Sequence, residues 1–131
     1  MKKFLIIFCL IGSALGVFAQ DMMKNFYMAN LKCSNFFGQD LRGANFEKAE
    51  LDGINFENAN LTGANFRGAD IERSNFKNAN LTNADFEGAD LDEANFQGAV
   101  IKNTNFKHAE LEYAIWTNGK ICGAGSIGDC W

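Results

Sequence analysis

Eight carboxylates fall into four pairs at a fixed spacing: Glu50 and Asp52, Asp70 and Glu72, Asp90 and Asp92, Glu110 and Glu112. Each pair flanks one apolar residue, and successive pairs stand twenty positions apart. Acids gathered in this way support three kinds of chemistry. They form a solvated, like-charged surface that keeps a chain soluble. They project a one-signed field that steers and docks a basic protein surface. They also supply oxygen to a divalent cation, although Ca²⁺ wants about six to eight ligands with curvature, which a flat array provides poorly. Nothing else in the chain points to catalysis. The single histidine, His108, has no Ser or Cys in register with it and a carboxylate, so no activated nucleophile is on offer. Cys122 and Cys130 bracket the Gly-rich stretch Gly-Ala-Gly-Ser-Ile-Gly-Asp. They can close a small loop. A two-cysteine metal site is the rival, but no His or third Cys is near it. The expected site is therefore the eight acids as an interaction face, with Cys122 and Cys130 as a disulfide. No catalytic residue, metal ligand or cofactor is assigned.

The elements that hold these acids in place come from a period of five. From Leu31 to Trp116 every fifth residue is large and apolar, and the eighteen positions hold eight Phe, seven Leu, two Ile and one Trp. Two residues earlier stands Ala, Ser or Thr in sixteen of the eighteen units, with Gln39 and Ile54 as exceptions. Inward-facing positions thus alternate in steps of two and three, which fits neither a helix nor a sustained strand. It fits a chain that runs extended for about three residues and then turns a corner. Two residues after the central position, twelve of the eighteen units carry Gly or Asn, the residues that accept the positive φ of a type II turn. Lys48, Arg73, Glu93, His108 and Tyr113 depart from this, and they predict a second turn type without positive φ.

Alternation of the central residues sets the coil. Leu41, Phe46, Leu51, Phe56, Leu61 and Phe66 alternate aliphatic with aromatic, so an even number of units per coil stacks like on like. Two units leave no room for a core; four give a twenty-residue coil. The columns are then Phe36-Phe56-Phe76-Phe96-Trp116, Phe46-Phe66-Phe86-Phe106, Leu41-Leu61-Leu81-Ile101 and Leu31-Leu51-Ile71-Leu91-Leu111. In this register the eight acids line one side as a wall two wide and four high, with Arg73 as the counter-charge beside it. Asn35, Asn55, Asn75 and Asn95 stack on another side, and Asn45, Asn65, Asp85 and Asn105 on a third; these predict hydrogen bonds along the column or across the turns.

Ala-Asn-Leu-Thr-Gly, Ala-Asp-Leu-Asp-Glu and Ala-Asn-Phe-Arg-Gly resemble the repeat unit of the pentapeptide repeat family. The resemblance covers residues 29–118 and implies an all-β fold, a right-handed quadrilateral β-helix of about four and a half coils. Some members of that family protect type II topoisomerases by presenting an acidic rod that mimics DNA. A DNA-mimic inhibitor or protector is accordingly one alternative function, and a Ca²⁺-binding surface protein is another. The closing segment, Cys-Gly-Ala-Gly-Ser-Ile-Gly-Asp-Cys, is similar to the tail of exported members.

The start of the chain supports export. Met1-Lys2-Lys3 is a short basic start, Phe4 to Phe18 is an apolar run, and Val17-Phe18-Ala19 is a small-residue cleavage site, which together read as a signal peptide. Residues 1–19 are thus expected to be a leader, 20–28 an N-terminal cap, 29–118 the solenoid and 119–131 a closing loop. Loss of the leader leaves ten Lys and Arg against sixteen Asp and Glu. That balance excludes a basic nucleic-acid footprint and attraction to anionic membrane surfaces; no membrane insertion is expected after cleavage. The expected product is an exported, periplasmic or extracellular, non-enzymatic protein with a structural or interaction role. It is a monomer or a Cys33-linked dimer, with a basic protein surface as its candidate partner.

Overall fold

A computed structural model describes residues 24–32 and 34–131; the expected leader, residues 20–23 and Cys33 lie outside these. Every coil takes twenty residues. Parallel bridges join Asn45 to Asn65, Glu50 to Asp70, Asn55 to Asn75 and Asn60 to Asn80, and the same step of twenty continues up the molecule. The solenoid has four sides, each built from one five-residue unit.

One unit shows why the sequence takes this form. Around Phe46, the N–H of Asn45 donates to Lys24 in the coil below (2.8 Å), while Phe46 and Lys48 donate to Asn65 (2.7 Å) and Arg67 (3.0 Å) in the coil above. The N–H of Ala49 closes the corner on the carbonyl of Phe46 at 3.0 Å. That leaves Glu47, whose N–H donates to the side-chain Oδ1 of Asn45 at 3.1 Å. All five N–H groups of the unit are satisfied, and the fifth needs a short side chain with an oxygen just before the central residue. This is why Asn or Asp recurs there. Both predicted roles of the amide columns are present: Asn75 accepts from Lys77 N–H at 3.0 Å, and Asn105 Nδ2 donates down the column to Asp85 at 2.9 Å.

Inside, the aromatic columns stack as the register requires. Phe46, Phe66 and Phe86 lie face to face with centroids 4.8 and 4.6 Å apart. Phe56, Phe76 and Phe96 do the same at 5.0 and 5.1 Å. Rings of the two columns meet edge-on, as Phe66 and Phe76 do at 5.9 Å. Leu51, Leu61, Ile71, Leu81 and Leu91 fill the remaining sides, all fully buried. Ile54 occupies a corner position usually held by Ala, and Ser74 stands next above it. The Ser74 hydroxyl donates to Leu51 O at 2.8 Å and accepts from Ile54 N–H at 3.1 Å, tying the two coils together.

Three expectations are corrected. Lys48, Arg73, Glu93, His108 and Tyr113 do not adopt a second turn; their φ values lie between 56° and 60°, beside 68° at Gly53. For the first three the cause is the ladder. Lys48, Arg73 and Glu93 donate their corner N–H to the next coil, just as Gly53 does, and another turn type would swing that donor away. Asn118 lacks the positive φ expected of it, which passes to Gly119 (83°), because the chain is here leaving the coil. At the other end, residues 25–28 are a further repeat unit and not a lid. Asn25 bridges to Asn45, Phe26 stacks on Phe46 at 4.8 Å, and Met28 takes the corner with φ 53°.

The far end is closed by the tail. Ile121 and Ile127 pair antiparallel with Ile115 and Glu110. Cys122 N–H donates to Ala114 O at 2.8 Å, and Ser126 O accepts from Leu111 N–H at 2.9 Å. Cys122 is buried and stands opposite Cys130, bonded to it, with 4.8 Å between Cα atoms. The tail thereby occupies an edge that would otherwise be free to pair with another chain.

Candidate functional site

Each wall acid flanks a buried aliphatic residue and so points outward. Glu50, Asp70, Asp90 and Glu110 form one column, joined by parallel bridges through the backbone. Asp52, Glu72, Asp92 and Glu112 stand beside them. All eight acids read from the sequence are therefore brought onto one face.

The face is not uniform. In its lower half every pair has a cation. Arg73, projecting from its corner, reaches Asp52 at 2.8 Å and Glu72 at 2.7 Å. Glu50 accepts from Asn30 Nδ2 at 2.6 Å and stands 4.0 Å from Lys32. In the upper half, Asp90, Asp92, Glu110 and Glu112 form no ion pair among the described residues. Carboxylate oxygens of Asp90, Asp92 and Glu110 lie within 4.8 Å of one another. Only backbone N–H groups relieve them: Asp92 N–H donates to Asp90 at 3.2 Å, and Glu112 N–H to Asp92 at 2.8 Å.

Upward titration shifts occur in both halves. Burial pushes the Asp92 carboxyl above its ordinary value; the Glu112 N–H opposes this, and the charges of Asp90, Glu112 and Glu93 add to it. Glu72 is also raised by burial and by Asp90, with Arg73 pulling it back. On the neighbouring side the pattern is reversed. Arg67 bridges Asp85 at 3.1 Å and Glu87 at 2.7 Å, and this hydrogen bonding holds the Glu87 carboxyl low.

Sequence reasoning found the wall but missed its division into a paired and an unpaired half. It also missed that the tail folds over the upper end, where Gly125 N–H donates to Glu112 at 3.3 Å. The signal for the first was present: Lys32 and Arg73 both precede Asp90, and no basic residue occupies an equivalent place higher up. His108 is an exposed corner residue.

A profile described as pentapeptide repeats, in eight copies, matches residues 40–78 and 79–115. The chain belongs to the pentapeptide repeat family. The square solenoid is thus the right-handed quadrilateral β-helix of that family, as expected. Among solved structures, the chain is similar to the pentapeptide repeat protein Rfr23 from the cyanobacterium Cyanothece 51142, at 31% identity and a TM-score of 0.68, covering 70% of this chain and 63% of that one. The chain thus spans less than two thirds of Rfr23's length. A second likeness is to alr5209, a pentapeptide repeat protein from Nostoc PCC 7120, at 29% identity and a TM-score of 0.47, covering 70% of this chain and 72% of that one. QnrB1, a plasmid-mediated fluoroquinolone resistance protein, is 27% identical over 79% of this chain and 62% of its own, with a TM-score of 0.36, which supports no functional comparison. No curated protein sequence matches the chain.

Proposed function

We propose that this pentapeptide repeat protein is an exported, non-enzymatic scaffold that engages a basic protein surface through the acidic face. One observation carries the reading: four carboxylates without cationic partners among the described residues stand fixed in register on the upper half of that face, while in the lower half Lys32 approaches Glu50 and Arg73 pairs with Asp52 and Glu72. Like charges held on a rigid backbone project a field that a flexible surface does not sustain. The Phe and Leu core fills the interior, and the only histidine lies at an exposed corner, so catalysis has no seat. Export rests on the sequence of residues 1–19 and on the paired Cys122 and Cys130, since disulfides persist in oxidising compartments.

Two measurements test this. N-terminal sequencing of the accumulated protein should begin near Gln20, and an uncleaved cytosolic form would defeat the export claim and favour a DNA-mimic role inside the cell. Pull-downs should recover a basic partner with the native chain and lose it when the eight acids become Asn or Gln. Identical partner sets would reduce the face to a solubility device.

A further inference from the structure

The tail that closes the far end lies over two of its four sides. Ile121 pairs with Ile115 and Ile127 with Glu110, and the last tail bond to the coil runs from Gly128 N–H to Ala109 O at 2.8 Å. The side built on Ile101 receives no strand. One coil lower, the equivalent groups are all paired. Leu81 and Asn83 donate to Val100 and Lys102 at 2.8 and 2.9 Å, and Ala79 O accepts from Val100 N–H at 2.9 Å. In the last coil Ile101 N–H, Asn103 N–H and Ala99 O have no backbone partner among the described residues. Ile101 is only half-buried, whereas Leu41, Leu61 and Leu81 beneath it are buried.

The side chains of this edge also depart from the repeat. Asn60 and Asn80 accept the N–H groups of Thr62 and Thr82 at 3.2 and 3.1 Å. Their column ends in Val100, which has no oxygen to offer and is 52% exposed. An exposed β-branched residue where the repeat calls for an amide breaks the local rule at the one side left uncovered by strand and amide alike. The charge here is of one sign. Residues 99–108 hold Lys102 and Lys107 and no acid, and the tail contributes a single acid, Asp129. Lys102, Lys107 and Lys120, the last on the turn where the tail reverses, form no ion pair among the described residues.

We propose that this edge docks an extended, acidic peptide segment of a partner protein, which adds one strand to the Ile101 side. Open strand edges recruit extended chains through the backbone, and flanking side chains decide which chain is accepted. The ladder below dictates the register. The first peptide residue donates to Ala99 O, accepts from Ile101 N–H and lies beside Val100. The second turns inward over half-buried Ile101, which calls for an apolar side chain. The third accepts from Asn103 N–H and lies over Lys102, which calls for Asp or Glu. A second copy of this chain does not meet that demand. The aliphatic triplets of its first coil, Asn30-Leu31-Lys32 and Asp40-Leu41-Arg42, would set a cation over Lys102.

The test is an NMR titration of the isotope-labelled, purified chain with the end-capped peptide Ser-Val-Leu-Glu-Gly. Saturable shifts are expected at the amides of Ile101 and Asn103, together with slower hydrogen exchange there. A peptide with Lys in place of Glu should bind about tenfold more weakly at low salt. Methylation of the Val nitrogen, which removes the donor to Ala99, should cost about fivefold, the worth of one net hydrogen bond. Lys102→Glu, an exposed substitution, should reverse the preference between the Glu and Lys peptides. Absence of saturable shifts, equal binding of the two peptides, or shifts that leave Ile101 and Asn103 unmoved would overturn the site. So would a dimer, detected by light scattering, that excess peptide fails to dissociate, since the edge would then belong to a second copy. This end and the acidic face are separate surfaces, so failure of binding at one leaves the other standing.

Discussion

Lys48 stands at a corner with φ 57° and gives its N–H to Arg67 of the next coil at 3.0 Å. The left-handed conformation costs a non-glycine residue about 1–2 kcal/mol, and the ladder bond and the buried Phe46 beside it hold the corner there regardless. Lys48→Gly should therefore raise unfolding stability by about 0.5–1 kcal/mol in urea titration, the relief of strain being partly offset by the looser unfolded chain. A loss of stability would mean that the corner is not strained. Asp40 offers a second residue-scale check. Its carboxyl, hydrogen-bonded to Arg42, is lowered to about 2. A lowered carboxyl contributes stability that is present above its unfolded value and disappears as pH falls through the folded one. An NMR titration should place the Asp40 midpoint near 2, and Arg42→Ala should return it toward the ordinary 3.8. At this scale the sequence was half legible. Except at Asn118, Gly and Asn marked the corners correctly, but Lys48, Arg73, Glu93, His108 and Tyr113 misled; at the first three the local preference is overruled by a hydrogen bond to a residue nineteen positions away.

A unit of five and a coil of twenty were readable because the fold is nearly one-dimensional: each coil touches only its neighbours, and its alternation of Phe with Leu is copied directly into columns. Phe66, fully buried between Phe46 and Phe86, is the clearest single test of that stacking. Phe66→Ala should cost about 3–5 kcal/mol by the loss of buried surface and the cavity left behind. A loss under about 1 kcal/mol in denaturant unfolding would show that the column does not bear on stability. What the period could not reveal were its ends. Phe26 lies one beat ahead of Leu31 and belongs to the repeat, yet the apolar run Met22 to Met28 reads as a lid because it carries no Ala or Gly in register.

Across the whole molecule, the uncovered edge of a solenoid is the hazard that the tail removes. Leu111 and Trp116 donate their N–H groups to Ser126 and Lys120, and the Cys122–Cys130 link holds that arrangement. Replacing both cysteines by Ser should lower stability by about 2–3 kcal/mol from loop-closure entropy, and light scattering should then detect association through the freed edge. Unchanged Tm and unchanged size would exclude the tail as a cap. The division of the acidic face into paired and unpaired halves also exists only at this scale, since it joins Lys32, Arg73 and the four upper acids across four coils.

That division is the point on which the functional account turns. Binding of a Lys-rich peptide at low and moderate salt should be compared between two variants. One has Asp90, Asp92, Glu110 and Glu112 converted to their amides, and the other has Glu50, Asp52, Asp70 and Glu72 converted. The account predicts that the first variant loses binding at least tenfold and the second retains most of it. Equal loss in both, or binding unaffected by the upper four, would contradict it.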